Sequence, residues 1–234
     1  MLNKNVINVL TQVNGITNSA IINYPITVAV SETQDIQMLV DFSELDDEPF
    51  PEIGLKDCLS DFLNLFKLFP DDKTVNIEGN TVNVQSGDTS STFIMSNTVL
   101  MDAYKKDAVG FERTEQVPSV AEFTLSVDDI KQIKASTGIF KDLSEVIFES
   151  KDGKLTVSLG ATNRFNAKSN TFSISKTVSC SKEFEVKIPV ENFKMIPLTE
   201  YTAHIKYNSN KDAYRILMNS TALAGTKIML SVKV

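Results

Sequence analysis

The order in which helical and strand patterns follow one another, run through twice, constrains this chain more than any single motif does. Each half reads as helix, strands, helix, hairpin and further strand. Four segments carry helical spacing. In residues 3–14, Val6, Val9, Leu10 and Val13 follow the i, i+3, i+4, i+7 pattern. Residues 55–69 put Leu55, Leu59, Phe62, Phe66 and Phe69 on one broad apolar face, stopped by Pro70. Residues 126–137 open on Ser126, a candidate N-cap, with Asp128 and Asp129 where the helix dipole favours them. Gly138 is expected to end that helix. The last, 190–196, has Pro189 at a permitted entry position and Pro197 as terminator.

Strand signals fill the remainder. Asp152-Gly153 suits a tight hairpin between 145–149 and 154–159, because this pair readily takes positive φ. Glu78-Gly79-Asn80 joins 74–77 to 81–85, and the polar 208–212 turn joins 201–207 to 213–219. Further strands are expected at 19–31, 35–42, 91–96, 171–179, 183–188 and 226–234. The polar stretch 97–121, with Gly110 and Pro118, is the best linker candidate. The expected class is therefore α+β: two similar domains, 1–112 and 122–234, joined through 113–121, each with two helices on antiparallel sheets.

Charge and composition narrow the function. The net charge of −7 argues against a nucleic-acid partner at first sight, but residues 32–72 hold 12 acidic and only 2 basic residues. From Phe123 onward there are 16 basic and 11 acidic residues, so DNA stays open as a partner. No apolar run approaches the roughly 18 residues of a membrane span. Residues 1–14 space their apolar residues periodically and lack a cleavage site, unlike a signal peptide. Cys58 and Cys180 are expected as core residues, not as a disulfide.

Catalytic constellations are missing. His204 is the one histidine, with no nucleophile elbow to accompany it, and is expected to be structural. There is no Walker A sequence and no G-x-G-x-x-G after a strand. The cysteines and histidine are too scattered for zinc. Glu44, Asp46, Asp47 and Glu48 lack the alternation and central Gly of a calcium loop, and read as a solvated, partner-facing segment. No cofactor is implied. The chain reads as a binding protein, with an enzyme built from these residues as the lesser reading.

The four helices share a polar, sparsely acidic exposed set. Residues 3–14 show Asn, Thr, Gln and Lys4 without a carboxylate; 126–137 show Lys131, Gln132 and Lys134 after the two aspartates; 190–196 show Lys194. Residues 55–69 mix Lys56 and Lys67 with Asp57 and Asp61. A protein that travels along DNA should hold it weakly, with dissociation constants of about 10⁻⁴ to 10⁻⁶ M that weaken further with salt. Long residence would then have to come from topology.

With these residues in place, the chain resembles the sliding clamps of T-even-type bacteriophages over essentially its whole length. The firmest local match is Ile188-Pro-Val-Glu-Asn-Phe-Lys-Met-Ile-Pro197 followed by Tyr201. Next comes Ser126-Val-Asp-Asp-Ile-Lys-Gln-Ile, with Val146-Ile-Phe-Glu-Ser-Lys-Asp-Gly-Lys-Leu after Gly138. The first half matches through 3–18 and the 55–69 helix before Asp71-Asp72. These are packing and turn patterns, specific through their order. The resemblance implies DNA-clamp domains in a homotrimeric ring, helices lining the hole, in the cytoplasm of an infected bacterial host. It implies loading by an ATP-driven clamp loader, tethering of the replicative DNA polymerase on duplex DNA, and contact with late-transcription factors. Lys131, Lys134 and Lys194 then face DNA from matching helices, and Lys4, Lys56 and Lys67 follow by position. The 41–52 loop looks longer than in the family, and Asp57 and Asp61 depart from a cationic surface. The competing reading is a β-rich phage tail or capsid component, which has no need of the repeated helix-then-hairpin order.

Overall fold

The computed structural model describes residues 2–45, 49–160 and 172–233. The chain divides into two compact units, Met1–Val109 with Ala224–Thr226, and Gly110–Leu223 with Lys227–Val234.

In the first unit helix α1 (Lys4–Asn14) is capped by Asn3, whose side chain accepts from the Val6 amide, and buries Val6, Val9, Leu10 and Val13. Four strands follow: β1 (Ala20–Ile22), β2 (Ile26–Val30), β3 (Ile36–Asp41) and β4 (Ile53–Leu55). Strand β1 pairs antiparallel with β4, and β2 with β3. Helix α2 (Leu59–Lys67) then precedes the three-stranded sheet β5 (Thr74–Glu78), β6 (Thr81–Ser86), β7 (Thr89–Ile94). Phe62 of α2 packs edge-on against Phe66 and against Phe93 of β7, seating the helix on that sheet.

The second unit repeats the order behind two extra elements, helix α3 (Val109–Glu115) and strand β8 (Ser119–Leu125). Helix α4 (Val127–Ile139) starts at a capping box: the Ser126 hydroxyl accepts from the Asp129 amide, and the Asp129 carboxylate accepts from the Ser126 amide. Strands β9 (Glu145–Lys151), β10 (Lys154–Gly160), β11 (Ser173–Thr177) and β12 (Phe184–Pro189) form one sheet in the order β11-β10-β9-β12. Helix α5 (Val190–Met195) leads into β13 (Tyr201–Asn208), β14 (Ala213–Ser220) and β15 (Thr226–Ser231). Strand β13 lies between β8 and β14, and β14 pairs with β15. Both units thus read helix, four strands, helix, three strands, which is the expected α+β repeat.

Several expectations need correction. The second helix begins at Leu59, not Leu55, because Ile53, Gly54 and Leu55 are buried in β4 and pair with β1. Gly54 is required there, since a Cβ would lie 2.5 Å from the Ser96 carbonyl oxygen. Asp57, at φ +58°, then turns the chain into the helix. Gly138 sits within α4, which runs one residue further. The expected linker 113–121 holds the end of α3 and the start of β8. Thr114, Val120 and Ala121 are buried there, so this segment packs instead of spanning solvent. Cys58 and Cys180 are free and half-buried, not core residues. The hairpin at Asp152-Gly153 forms with both residues at positive φ, 51° and 73°. Asp46, Asp47 and Glu48 of the acidic loop lie outside the described residues; Phe42–Glu44 just before them is a short 3-10 turn.

Candidate nucleic-acid interface

Each unit joins its two long-range helices by a polar tie at one end. In the first, the Ser60 hydroxyl at the start of α2 donates to Asn14 Oδ1 at the end of α1, 3.1 Å. The Ser60 amide donates to Asn18 Oδ1 at 2.8 Å. In the second, the Lys134 ammonium of α4 donates to the Ile196 carbonyl just beyond α5. The Tyr201 hydroxyl, fully buried, donates to the Pro197 carbonyl at 3.1 Å, holding the end of α5 against β13. Burial pushes the Tyr201 phenol far above its ordinary range, so it remains a donor at every ordinary pH.

These ties sort the six expected lysines. Lys4 is exposed on α1 and reaches Asp71 at 2.8 Å. That hydrogen bond raises its pKa, but with side chains 73% and 78% exposed the pair holds the lysine weakly. Lys67 is exposed on α2, with Asn64 Oδ1 at 2.9 Å. Lys131 is exposed on α4, 3.9 Å from Asp128, and Lys194 is exposed on α5, 2.8 Å from Glu191. Two expectations change. Lys56 lies in the turn before α2, outside any helix, because β4 takes Leu55, the residue expected to start the helix, and the chain turns before Leu59. Lys134 is half-buried and spent on Ile196; burial lowers its pKa. Although i and i+3 are neighbours on a helix, its ammonium turns to the Ile196 carbonyl while Lys131 stays exposed.

The exposed charge of the helices is accordingly small. On α1, Lys4 stands among exposed Asn5, Asn8 and Thr11 with no carboxylate in the helix. On α2, α4 and α5 the exposed lysines Lys67, Lys131 and Lys194 are matched by Asp61, Asp128 and Glu191. Such a surface supplies amide and hydroxyl donors and a few exchangeable ammonium groups, enough to position a phosphate backbone without gripping it. Lys73 was missed from sequence. It lines the groove between α1 and α2 with Lys4 and Lys67, over a floor including Leu63, Phe66 and Phe69. Its place directly after the Pro70-Asp71-Asp72 turn was the available signal.

The former candidates for chemistry sit apart from this surface. His204 on β13 has Nδ1 3.3 Å from a Glu122 carboxylate oxygen on β8. Burial lowers its pKa, more than Glu122 raises it. Among the described residues no group of three or more His, Cys, Asp or Glu is placed to hold a metal, and no helix is long and apolar enough to cross a membrane.

In sequence comparison no protein-family model and no curated protein matches the chain. Solved structures do. The proliferating cellular nuclear antigen (PCNA) of Entamoeba histolytica superposes with a TM-score of 0.66 at 11% identity, covering 97% of this chain and 94% of that one. The PCNA of A. fulgidus, solved with the C-terminal region of FEN-1, gives 0.68 at 13% identity, covering 97% and 94%. A candidate DNA polymerase III beta subunit of Eubacterium rectale gives 0.65 at 13% identity, covering 98% of this chain and 63% of that one. The fold is that of sliding clamps across the full length, and a β-rich shell protein is not supported.

Proposed function

We propose that this protein is a DNA sliding clamp: a non-enzymatic ring that encloses duplex DNA and tethers a replicative polymerase for processive synthesis. The observation that carries the reading is that the chain superposes on sliding clamps over 97% of its length, with its helix and strand order run twice. Each repeat carries a helix pair whose exposed surface is polar and nearly charge-balanced. A surface so weakly cationic cannot retain DNA by affinity at physiological salt, so residence has to come from enclosure.

In finer detail we read it as a T-even-type phage clamp, acting as a homotrimer of six similar domains in the cytoplasm of an infected bacterium. The local matches at 188–197 and 126–133 favour that assignment. A chain with two clamp units needs partners to close a ring, and a closed ring leaves no strand edge open to stray pairing. Its partners are then duplex DNA without sequence preference, the DNA polymerase, an ATP-driven loader and late-transcription factors. A C-terminal segment of FEN-1 bound to the A. fulgidus clamp supports docking of a polymerase tail in the same manner.

The deciding experiment is retention on nicked circular DNA with loader and ATP. An enclosing ring stays on the circle and is released when the circle is linearised. Equal retention on both forms contradicts enclosure.

A further inference from the structure

Beside α3 the second unit holds a cavity of about 290 Å³ whose charged lining is of one sign: Arg113, Lys206, Lys211 and Arg215, with Thr114 and Asn208 between them. Lys206 and Arg215 are direct cross-strand partners on β13 and β14, a placement in which like charges repel. The Lys206 ammonium is satisfied by main-chain carbonyls alone among the hydrogen bonds it makes, Glu115 at 3.1 Å and Val117 at 3.0 Å. Arg215 Nη1 donates to the Thr114 hydroxyl at 3.2 Å and the Met229 thioether at 3.3 Å, both neutral acceptors. No carboxylate is in the lining, and that of Glu115 on α3 itself is held by Lys227. Folding therefore gathers four cations around a recess that no carboxylate lines, with Glu115 and Glu122 close enough to offset part of the Lys206 charge alone.

The face on which this happens decides the ligand. On β14, exposed Arg215 alternates with buried Ile216; their β13 partners Lys206 and Ile205 share those sides, so Lys206 points opposite Ile205, although β8 shifts register at this step. Tyr201 bonds the residue that ends α5, whereas Lys206 bonds the end of α3. The cationic recess thus opens on the sheet face opposite α5 and its polar helical surface. A duplex lying on the helices does not reach it.

We infer that this recess binds an acidic peptide segment of a partner protein, its carboxylates met by the forks of Arg113 and Arg215 and by Lys211. Arginine's planar donor pair matches a carboxylate in two-point fashion, and a recess lined by no carboxylate leaves Arg113, Lys211 and Arg215 free of an acidic partner within it. The inference stands independently of the ring reading, because it concerns a face the enclosed duplex does not use.

The test uses the full chain without DNA or loader. A fluorescent Asp/Glu peptide of about six residues is titrated at physiological salt and its anisotropy followed. Replacing Arg113→Gln and Lys211→Gln together, both exposed, weakens binding about ten-fold, while Lys151→Gln with Lys154→Gln on the β9–β10 hairpin changes it less than about two-fold. Equal weakening by the two pairs overturns the proposal, as does failure of the wild type to bind. Complete displacement of the peptide by inorganic phosphate at matched charge reduces the site to a non-selective anion patch. An equal loss of duplex-oligonucleotide binding in the Arg113/Lys211 variant reassigns it to nucleic acid.

Discussion

The Lys134 ammonium caps the Ile196 carbonyl, so a residue that by type and spacing belongs to a cationic surface instead fastens α4 to the end of α5. Ile196 is the first non-helical residue after α5, and its carbonyl has no helical partner. Replacing Lys134 by Met keeps the aliphatic stem and removes the donor. We expect a loss of about 1 kcal/mol in urea unfolding, the net worth of a half-buried charged hydrogen bond. Unchanged stability, with weakened loading onto DNA, would return Lys134 to the DNA-facing set.

Lys131 and Lys194 should behave the opposite way. Both are exposed with acidic neighbours on their own helices, and both lie in weak surface pairs. Changing both to Ala leaves the unfolding midpoint within error and lowers loading and processive synthesis about ten-fold, with a flatter dependence on salt, while rings already closed on circles stay on them. Loading, synthesis and salt dependence all equal to wild type would remove these helices from the DNA contact.

Asp129 carries more than a cap. Burial works against its ionisation, but the hydrogen bonds from Lys176, 2.6 Å away, and from Ser126 outweigh it and hold the carboxyl below the usual range. Lys176 is on β11, so this one carboxylate ties the start of α4 to a strand. The lost cap and the stranded Lys176 together should make Asp129→Ala cost about 2 kcal/mol in chemical denaturation. The sign for acid follows from the lowered pKa: the contribution is full above the unfolded carboxyl's range and is lost as pH falls through the folded value.

His204 gives a second pH dependence. Its folded pKa lies below the ordinary 6.5, so the unfolded chain takes up the proton first as pH falls. The imidazole contributes nothing above that range, and a growing penalty from about pH 6.5 down to the folded value. Comparing wild type with His204→Gln by urea unfolding at about pH 7.5 and about pH 5, the wild type should lose more on acidification. The same difference at both pH values would contradict the burial assigned to this ring.

Local chemistry made much of the architecture legible before any coordinates. Ser126 announces a helix start because its side chain caps a nearby amide. Asp152-Gly153 dictates its hairpin because both positions need positive φ. The twice-run element order follows from such signals added along the chain. What failed was context. Leu55 reads as the first helical residue by spacing, yet Ile53-Gly54-Leu55 pairs with β1 as a strand, a partner about thirty residues distant that no local pattern encodes.

The sequence alone determined where most helices and hairpins form and that they form two like units, since capping, turn and periodicity are set by near neighbours. The tertiary structure alone decided which lysines face solvent, turning Lys134 inward and leaving Lys56 off the helix. It also gathered Arg113, Lys206, Lys211 and Arg215 around one recess. The physical reason is that a side chain's charge acts over a few ångströms in space, and which groups share that space is fixed by strand register and helix packing, not by order along the chain.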